Sequence, residues 1–140
     1  PTDIRVASPN ARFGLPEVKW SIYPFGGATI KLIQQIGYVH AMDLLLTGRL
    51  ISAEEARKIG LVNDIEKTGS VLDWALEKAH MIAANSPSAV QAVKTQISSS
   101  IAEYARSREG LDQELGDQVR SDPNFKEGVN AFLEKRQPKY

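Results

Sequence analysis

With 140 residues, the chain is long enough for one ordinary domain and too short for two. Its 17 basic and 17 acidic side chains cancel, so no global field favours nucleic acid or an anionic membrane, and the 24% charged and 42% hydrophobic fractions are those of a soluble globular protein. The absence of cysteine excludes disulfides and thiolate metal sites and suits a reducing compartment; no apolar run of about 18 residues could span a bilayer, and no signal peptide is visible.

Asp3-Ile4-Arg5-Val6-Ala7 alternates polar and apolar residues, the pattern of a half-buried strand. It begins almost at the first residue, and few other strands are visible to satisfy its ladder. The expectation is therefore a chain that forms the second part of a larger unit. Ser8-Pro9-Asn10 marks a turn, and Ala11-Arg12-Phe13 a second short extended piece. Val18 to Tyr23 reads as strand or irregular structure, ended by Pro24. Gly26-Gly27-Ala28-Thr29 then opens a helix with Ile30, Leu32, Ile33 and Ile36 on one stripe, closed by Gly37. The Gly-Gly pair lacks the spacing of a phosphate loop.

Val39 to Leu46 forms a compact apolar helix with Gly48 as its left-handed cap. Ser52-Ala53-Glu54-Glu55 is a capping box for a short helix that ends at Gly60, and Leu61 to Ile65 reads as a brief strand. Ser70 caps a longer helix carrying Leu72, Leu76, Ala79 and Ala83. Ser86-Pro87 is a strong restart signal for a helix reaching about Arg108. Leu111 to Val119 is a shorter amphipathic piece. Asp122-Pro123 restarts once more, and Gly128 to Arg136 places Val129, Phe132 and Leu133 on one face before Pro138. From Gly26 onward the chain reads as mostly helix with short connections.

The unusual chemistry lies between Phe13 and Leu32. Glu17 directly follows a Gly-x-Pro turn and is flanked by the apolar Leu15, Val18, Trp20 and Ile22. Proline and glycine fix the backbone, so this acid is held in place and is a candidate for proton transfer. The alternative is a loop carboxylate that merely ends a turn. His40 and His80 each lack a second ligand at metal-site spacing on the same helix, so no metal is expected. Lys19, Lys31 and Arg49 are scattered cations near this stretch, either solvated or in contact with phosphate.

These residues carry a resemblance. D-I-R-V-A-S, A-R-F-G-L-P-E-V-K-W, P-F-G-G-A-T, L-L-L-T-G-R-L-I-S-A-E-E-A-R-K-I-G-L-V-N and E-G-V-N-A-F-L-E-K-R-Q-P resemble the crotonase family, the enoyl-CoA hydratase/isomerase superfamily. The likeness runs through essentially the whole chain in one register and corresponds to about the C-terminal half of a typical member. It implies an α/β, crotonase-like spiral, of which this chain is mostly the helical C-terminal half. Residues 1–65 would end the spiral core and carry the glutamate loop. Residues 66–140 would form a C-terminal helical oligomerisation region.

The resemblance also implies that Glu17, the acid after F-G-x-P, is one of two catalytic glutamates in a syn hydration of trans-2-enoyl-CoA. The partner glutamate and the oxyanion donors would lie outside this chain. Phe25, Trp20, Gly26, Phe132 and Lys135 would contact the substrate. No cofactor is expected beyond the coenzyme A thioester that is itself the substrate. A homotrimer or dimer of trimers is implied, without nucleic acid or membrane, in the cytoplasm or alternatively the mitochondrial matrix. Family hydratases commonly carry glycine directly after the second proline, where this chain has Phe25. That departure leaves acyl length open, and leaves enoyl isomerisation and thioester hydrolysis beside hydration. A non-catalytic fragment or assembly module is the rival from another class, because the chain shows Glu17 without its partner.

Overall fold

The computed structural model describes residues 2–140. In chain order the elements are β1 (Val6–Ala7), β2 (Arg12–Phe13), a 3₁₀ helix (Pro16–Trp20), α1 (Ala28–Thr47), β3 (Ile51–Ser52), α2 (Ala53–Lys58), β4 (Asp64–Ile65), α3 (Val71–Ala83), α4 (Pro87–Ser107), α5 (Glu109–Ser121) and α6 (Pro123–Leu133). They form an α/β chain dominated by helix. It divides into two compact units: the segment ending at Phe13 with Ile51–Tyr104, and Gly14–Leu50 with Ala105–Tyr140.

Among the described residues, the strand pairing lies in the first unit. β1 pairs in parallel with β4, Val6 opposite Asp64 and Ala7 opposite Ile65, while β2 pairs antiparallel with β3. The first strand therefore has its partner, although regular pairing is shorter than the alternation of Asp3–Ala7 predicts. Asn63 extends the contact by holding Arg5 from both sides: its Oδ1 accepts from the Arg5 N–H, and its own N–H donates to the Arg5 carbonyl, each at 2.8 Å. Ala7, Ile51, Ala53, Ala56, Val62 and Ile65 are buried here. Ser52 caps α2 by accepting from the Glu55 N–H at 3.2 Å, and Ser70 Oγ accepts from Leu72 and Asp73 at the start of α3. No residue of α3 or α4 is buried, and Leu72, Leu76, Met81, Ile82, Val93 and Ile97 are exposed.

The second unit is helical, with Leu32, Ile36, Ala41, Leu44, Leu45 and Ala131 buried. The two helices predicted on either side of Gly37 are both present within Ala28–Thr47 and meet at a kink, where Gly37 takes the non-helical φ 76° and ψ 164°. That conformation is open essentially to glycine alone, so the kink is written into the residue type. Val18–Tyr23 is neither strand nor irregular as far as Trp20: Pro16 starts a 3₁₀ helix there, its fixed φ suiting the first helical position. α6 begins at Pro123, where Asp122 Oδ1 accepts from Asn124 at 2.8 Å, so Gly128 lies inside the helix.

Candidate active site

Glu17 is the second residue of the 3₁₀ helix, and this helix packs on α1 and α6. Ser21 closes it in the left-handed region at φ 51° and ψ 44°, with the Ile22 N–H donating to the Glu17 carbonyl at 3.0 Å. Such a backbone costs a non-glycine residue of order 1–3 kcal/mol and persists only where surrounding structure holds it. The Glu17 side chain is half-buried. Its Oε2 is sealed from solvent and has no hydrogen-bond partner among the described residues. A buried polar atom without a partner costs about 1–3 kcal/mol, and more when charged, so an acceptor is kept here at a price in stability. Chemically it can receive a donor or exchange a proton with whatever reaches it.

The holding structure comes from α6 and the residues after it. Gly128 lies so close to the turn that a Cβ there would meet the Trp20 carbonyl oxygen at 2.1 Å. The Trp20 ring meets Phe132 edge-to-face, with centroids 5.3 Å apart, and Phe132 remains 59% exposed. Just past the end of α6, Lys135 stands at φ 54°, and the Lys135 and Arg136 N–H groups return to the carbonyls of Phe132 and Ala131. Arg136 then grips both oxygens of Glu127 at 2.6 and 3.0 Å, and the Lys139 N–H donates to Glu127 Oε1 at 2.9 Å. The Arg136 hydrogen bonds, reinforced by the Lys139 N–H, bring the Glu127 carboxyl down to about 2. The tail so anchored delivers Tyr140, whose hydroxyl donates to the Lys19 carbonyl at 2.8 Å.

Phe25 and Gly26 lie beyond Ser21, on the approach to α1. The Phe25 ring packs edge-to-face with Tyr23 at 5.3 Å, and the Arg120 guanidinium lies 4.8 Å from its centroid. Gly26 stands at φ 75°, and its carbonyl accepts from Lys31 Nζ at 2.9 Å. Asp112 ties this segment down: Oδ1 accepts from the Tyr23 hydroxyl at 2.8 Å and Oδ2 from the Gly27 N–H at 3.3 Å. Burial first, and the Asp112 carboxylate second, push the Tyr23 phenol upward. A cleft of about 300 Å³ opens beside Phe25, Gly26 and Gly27, with Arg106, Asp112 and Gln113 on its walls. Glu17 is not among its lining residues.

Of the scattered cations, Lys31 is engaged by Gly26, and Arg49 bonds Asp43 through Nε at 2.9 Å. The Lys19 stem passes beside Gly48. His40 and His80 are exposed on their helices. Among the described residues, no group of three or more metal-ligating side chains is placed to hold an ion.

Residues 1–140 match the sequence profile of the enoyl-CoA hydratase/isomerase family. The chain belongs to that family. Among its relatives in this family, it is 45% identical over 139 residues to enoyl-CoA hydratase EchA19 of Mycobacterium tuberculosis, an alignment covering 99% of this chain and 52% of the relative. It is 36% identical over 138 residues to 2,3-dehydroadipyl-CoA hydratase of Escherichia coli, covering 99% and 54%. The crystal structure of carnitinyl-CoA hydratase from Mycobacterium avium superposes with a TM-score of 0.91 at 32% identity, over 99% of this chain and 54% of that one. The fold is thus crotonase-like, as the sequence implies. The chain spans about half the length of the curated relatives it matches.

The structure brings Glu17, Trp20 and Phe132 together about one turn, with Lys135 at the end of the same supporting helix. Phe25 and Gly26 belong to the neighbouring cleft. Asp112, Gly128, Tyr140 and Gly116 of α5, on whose bare backbone the Phe25 ring sits, went unnoticed in the sequence. The two glycines did carry a signal, since glycine inside a helical pattern often marks close backbone approach. Asp112 and Tyr140 carried none.

Proposed function

We infer that this chain is the C-terminal half of an acyl-CoA enzyme whose leading reaction is syn hydration of a trans-2-enoyl-CoA. The observation that carries the reading is Glu17: an acid on a rigid turn of a family member, with one carboxylate oxygen buried and without a partner. The hydratase names of the M. tuberculosis and E. coli relatives support the same reaction.

In this reading a second glutamate, outside this chain, orients a water and takes one of its protons as the water oxygen bonds to the β-carbon. The electron pair of the double bond moves onto the thioester oxygen. Backbone N–H donors, also outside this chain, stabilise that enolate, a contribution often worth a few kcal/mol. Glu17 then gives its proton to the α-carbon, and the sum is H and OH added to one face. Coenzyme A enters as part of the substrate, and no further cofactor is invoked. The exposed Phe132 ring and the Lys135 ammonium suit a nucleotide-bearing thioester, and Trp20, Phe25 and Gly26 complete the substrate contacts.

Residues 1–65 contribute the glutamate turn, and residues 66–140 serve assembly as well as supporting that turn through α6 and Tyr140. A homotrimer or dimer of trimers is the expected state, supported by the unburied apolar faces of α3 and α4. Among the described residues no helix is long and apolar enough to cross a membrane. We place the enzyme in the cytoplasm, with the mitochondrial matrix as the alternative.

Phe25 gives a specific reason to keep enoyl isomerisation or thioester hydrolysis as a second reading, because a bulky ring replaces the glycine usual in hydratases. The deciding experiment is Glu17→Gln in the complete gene product. Its kcat for enoyl-CoA hydration should fall by about 10²–10⁴, the scale of losing a general acid. A near-normal rate would show that Glu17 only ends a turn.

A further inference from the structure

Gly128 and Tyr140 carry no group that the proposed reaction uses, yet both touch the backbone of the glutamate turn at consecutive carbonyls. The Lys19 carbonyl accepts from the Tyr140 hydroxyl at 2.8 Å. The Trp20 carbonyl oxygen lies where a Cβ on Gly128 would be only 2.1 Å away, with the Trp20 carbonyl carbon at 2.4 Å. Tyr140 also closes over the same glycine, its hydroxyl 3.0 Å from that Cβ position. Two peptide planes just after Glu17 are therefore fixed from one side by a hydrogen bond and a bare backbone contact. The tail that supplies Tyr140 is fixed in turn by Glu127, through the Arg136 fork and the Lys139 N–H.

We propose that Gly128 and Tyr140 are positioning residues for Glu17, setting the place of its 3₁₀ turn through the Trp20 and Lys19 carbonyls. The inference rests on the reading of Glu17 as the proton donor. Its physical content is that a 3₁₀ turn of five residues has little stiffness of its own and poor internal hydrogen-bond geometry. Ser21 stays left-handed only if its neighbours over-determine it. Displacing a reacting proton by a fraction of an ångström lowers the rate of transfer while leaving thioester binding in place.

The test uses the complete gene product and Tyr140→Phe, which keeps the ring and removes only the donor, alongside Gly128→Ala, in which the methyl must push the Trp20 carbonyl away. Amide exchange is followed by mass spectrometry on peptides covering 16–24, with 71–83 as control, and kcat and KM are measured with crotonyl-CoA. Tyr140→Phe should speed exchange in 16–24 by about tenfold, leave 71–83 unchanged, and lower kcat three- to tenfold, with KM within about twofold. Gly128→Ala should do the same more strongly. Unchanged exchange in 16–24 for both variants overturns the proposal. So does faster exchange with normal kcat where Glu17→Gln is impaired, because the turn then moves without consequence. Equal changes in kcat and KM, with a matching loss of global stability, reduce both residues to packing and likewise overturn it. A normal rate for Glu17→Gln marks the failure of the catalytic reading itself, and the proposal falls with it.

Discussion

The ring of Phe25 is seated on the bare backbone of Gly116: a Cβ added to this α5 glycine would lie 1.9 Å from Cζ and 2.2 Å from Cε1. Phe25 is thus both a packing partner of α5 and a wall of the cleft beside Gly26. Gly116→Ala should force the ring out or the helix away, at a cost of about 1–3 kcal/mol, readable as a lowered Tm.

The same relationship sets a specificity test. If the ring limits the acyl chain, Phe25→Gly in the complete enzyme should change the kcat/KM ranking between short and longer enoyl-CoA thioesters by about tenfold or more, on the scale of ~1–3 kcal/mol per methylene. Equal changes for both substrates would assign Phe25 to packing on Gly116 alone.

The Glu127–Arg136 fork makes the tail acid-sensitive in a defined window. The Glu127 carboxyl is lowered from 4.5 to about 2 in the folded chain. Its contribution is complete above pH 4.5, shrinks as pH falls, and is gone below about 2. Glu127→Gln should therefore show a lower Tm than the parent at pH 6, with the gap closing between pH 4.5 and 2. A gap independent of pH would mean that the pairing contributes nothing through charge.

Asp112 faces both the Tyr23 phenol and the Gly27 N–H at the start of α1. Asp112→Asn removes the negative charge but leaves the burial, so the Tyr23 pKa should fall while staying above the ordinary tyrosine value. Tyrosine-labelled NMR titration follows this directly. An unchanged phenol would mean that burial alone raises it.

The 140-residue chain by itself should not hydrate crotonyl-CoA at a hydratase rate, because the proposed reaction takes its partner glutamate and oxyanion donors from outside this chain. Ordinary loss of enoyl absorbance with the purified chain would refute this. Light scattering of the complete gene product tests the trimer, and a monomer at micromolar concentration counts against it.

Much of the local structure was legible. Ser52, Ser70, Ser86-Pro87 and Asp122-Pro123 announce helix starts because the residues that satisfy free N–H groups, or need none, are few. Gly48 likewise announces a helix end and Gly37 a break. Glu17 was legible as an acid between a proline and an apolar stretch. Val18 to Trp20 was not legible as 3₁₀ helix, because β-branched and aromatic residues favour extended chain until Pro16, Ser21 and the surface of α6 override that preference.

Read alone, the sequence established most of the helices and where they start, the family, and the acid that stands at a fixed turn. These follow from local backbone chemistry and from motifs a few residues long. Which distant groups meet that turn became visible only in the folded chain. Tyr140 reaches Lys19 across 121 residues, and Asp112 reaches Tyr23 across 89. Such pairs have no periodicity or spacing to betray them, because contact between distant segments depends on how whole helices pack, and packing is a sum over many side chains at once. The buried oxygen of Glu17 belongs to the same class: a carboxylate is written in the sequence, but whether it finds a partner is settled by everything folded around it.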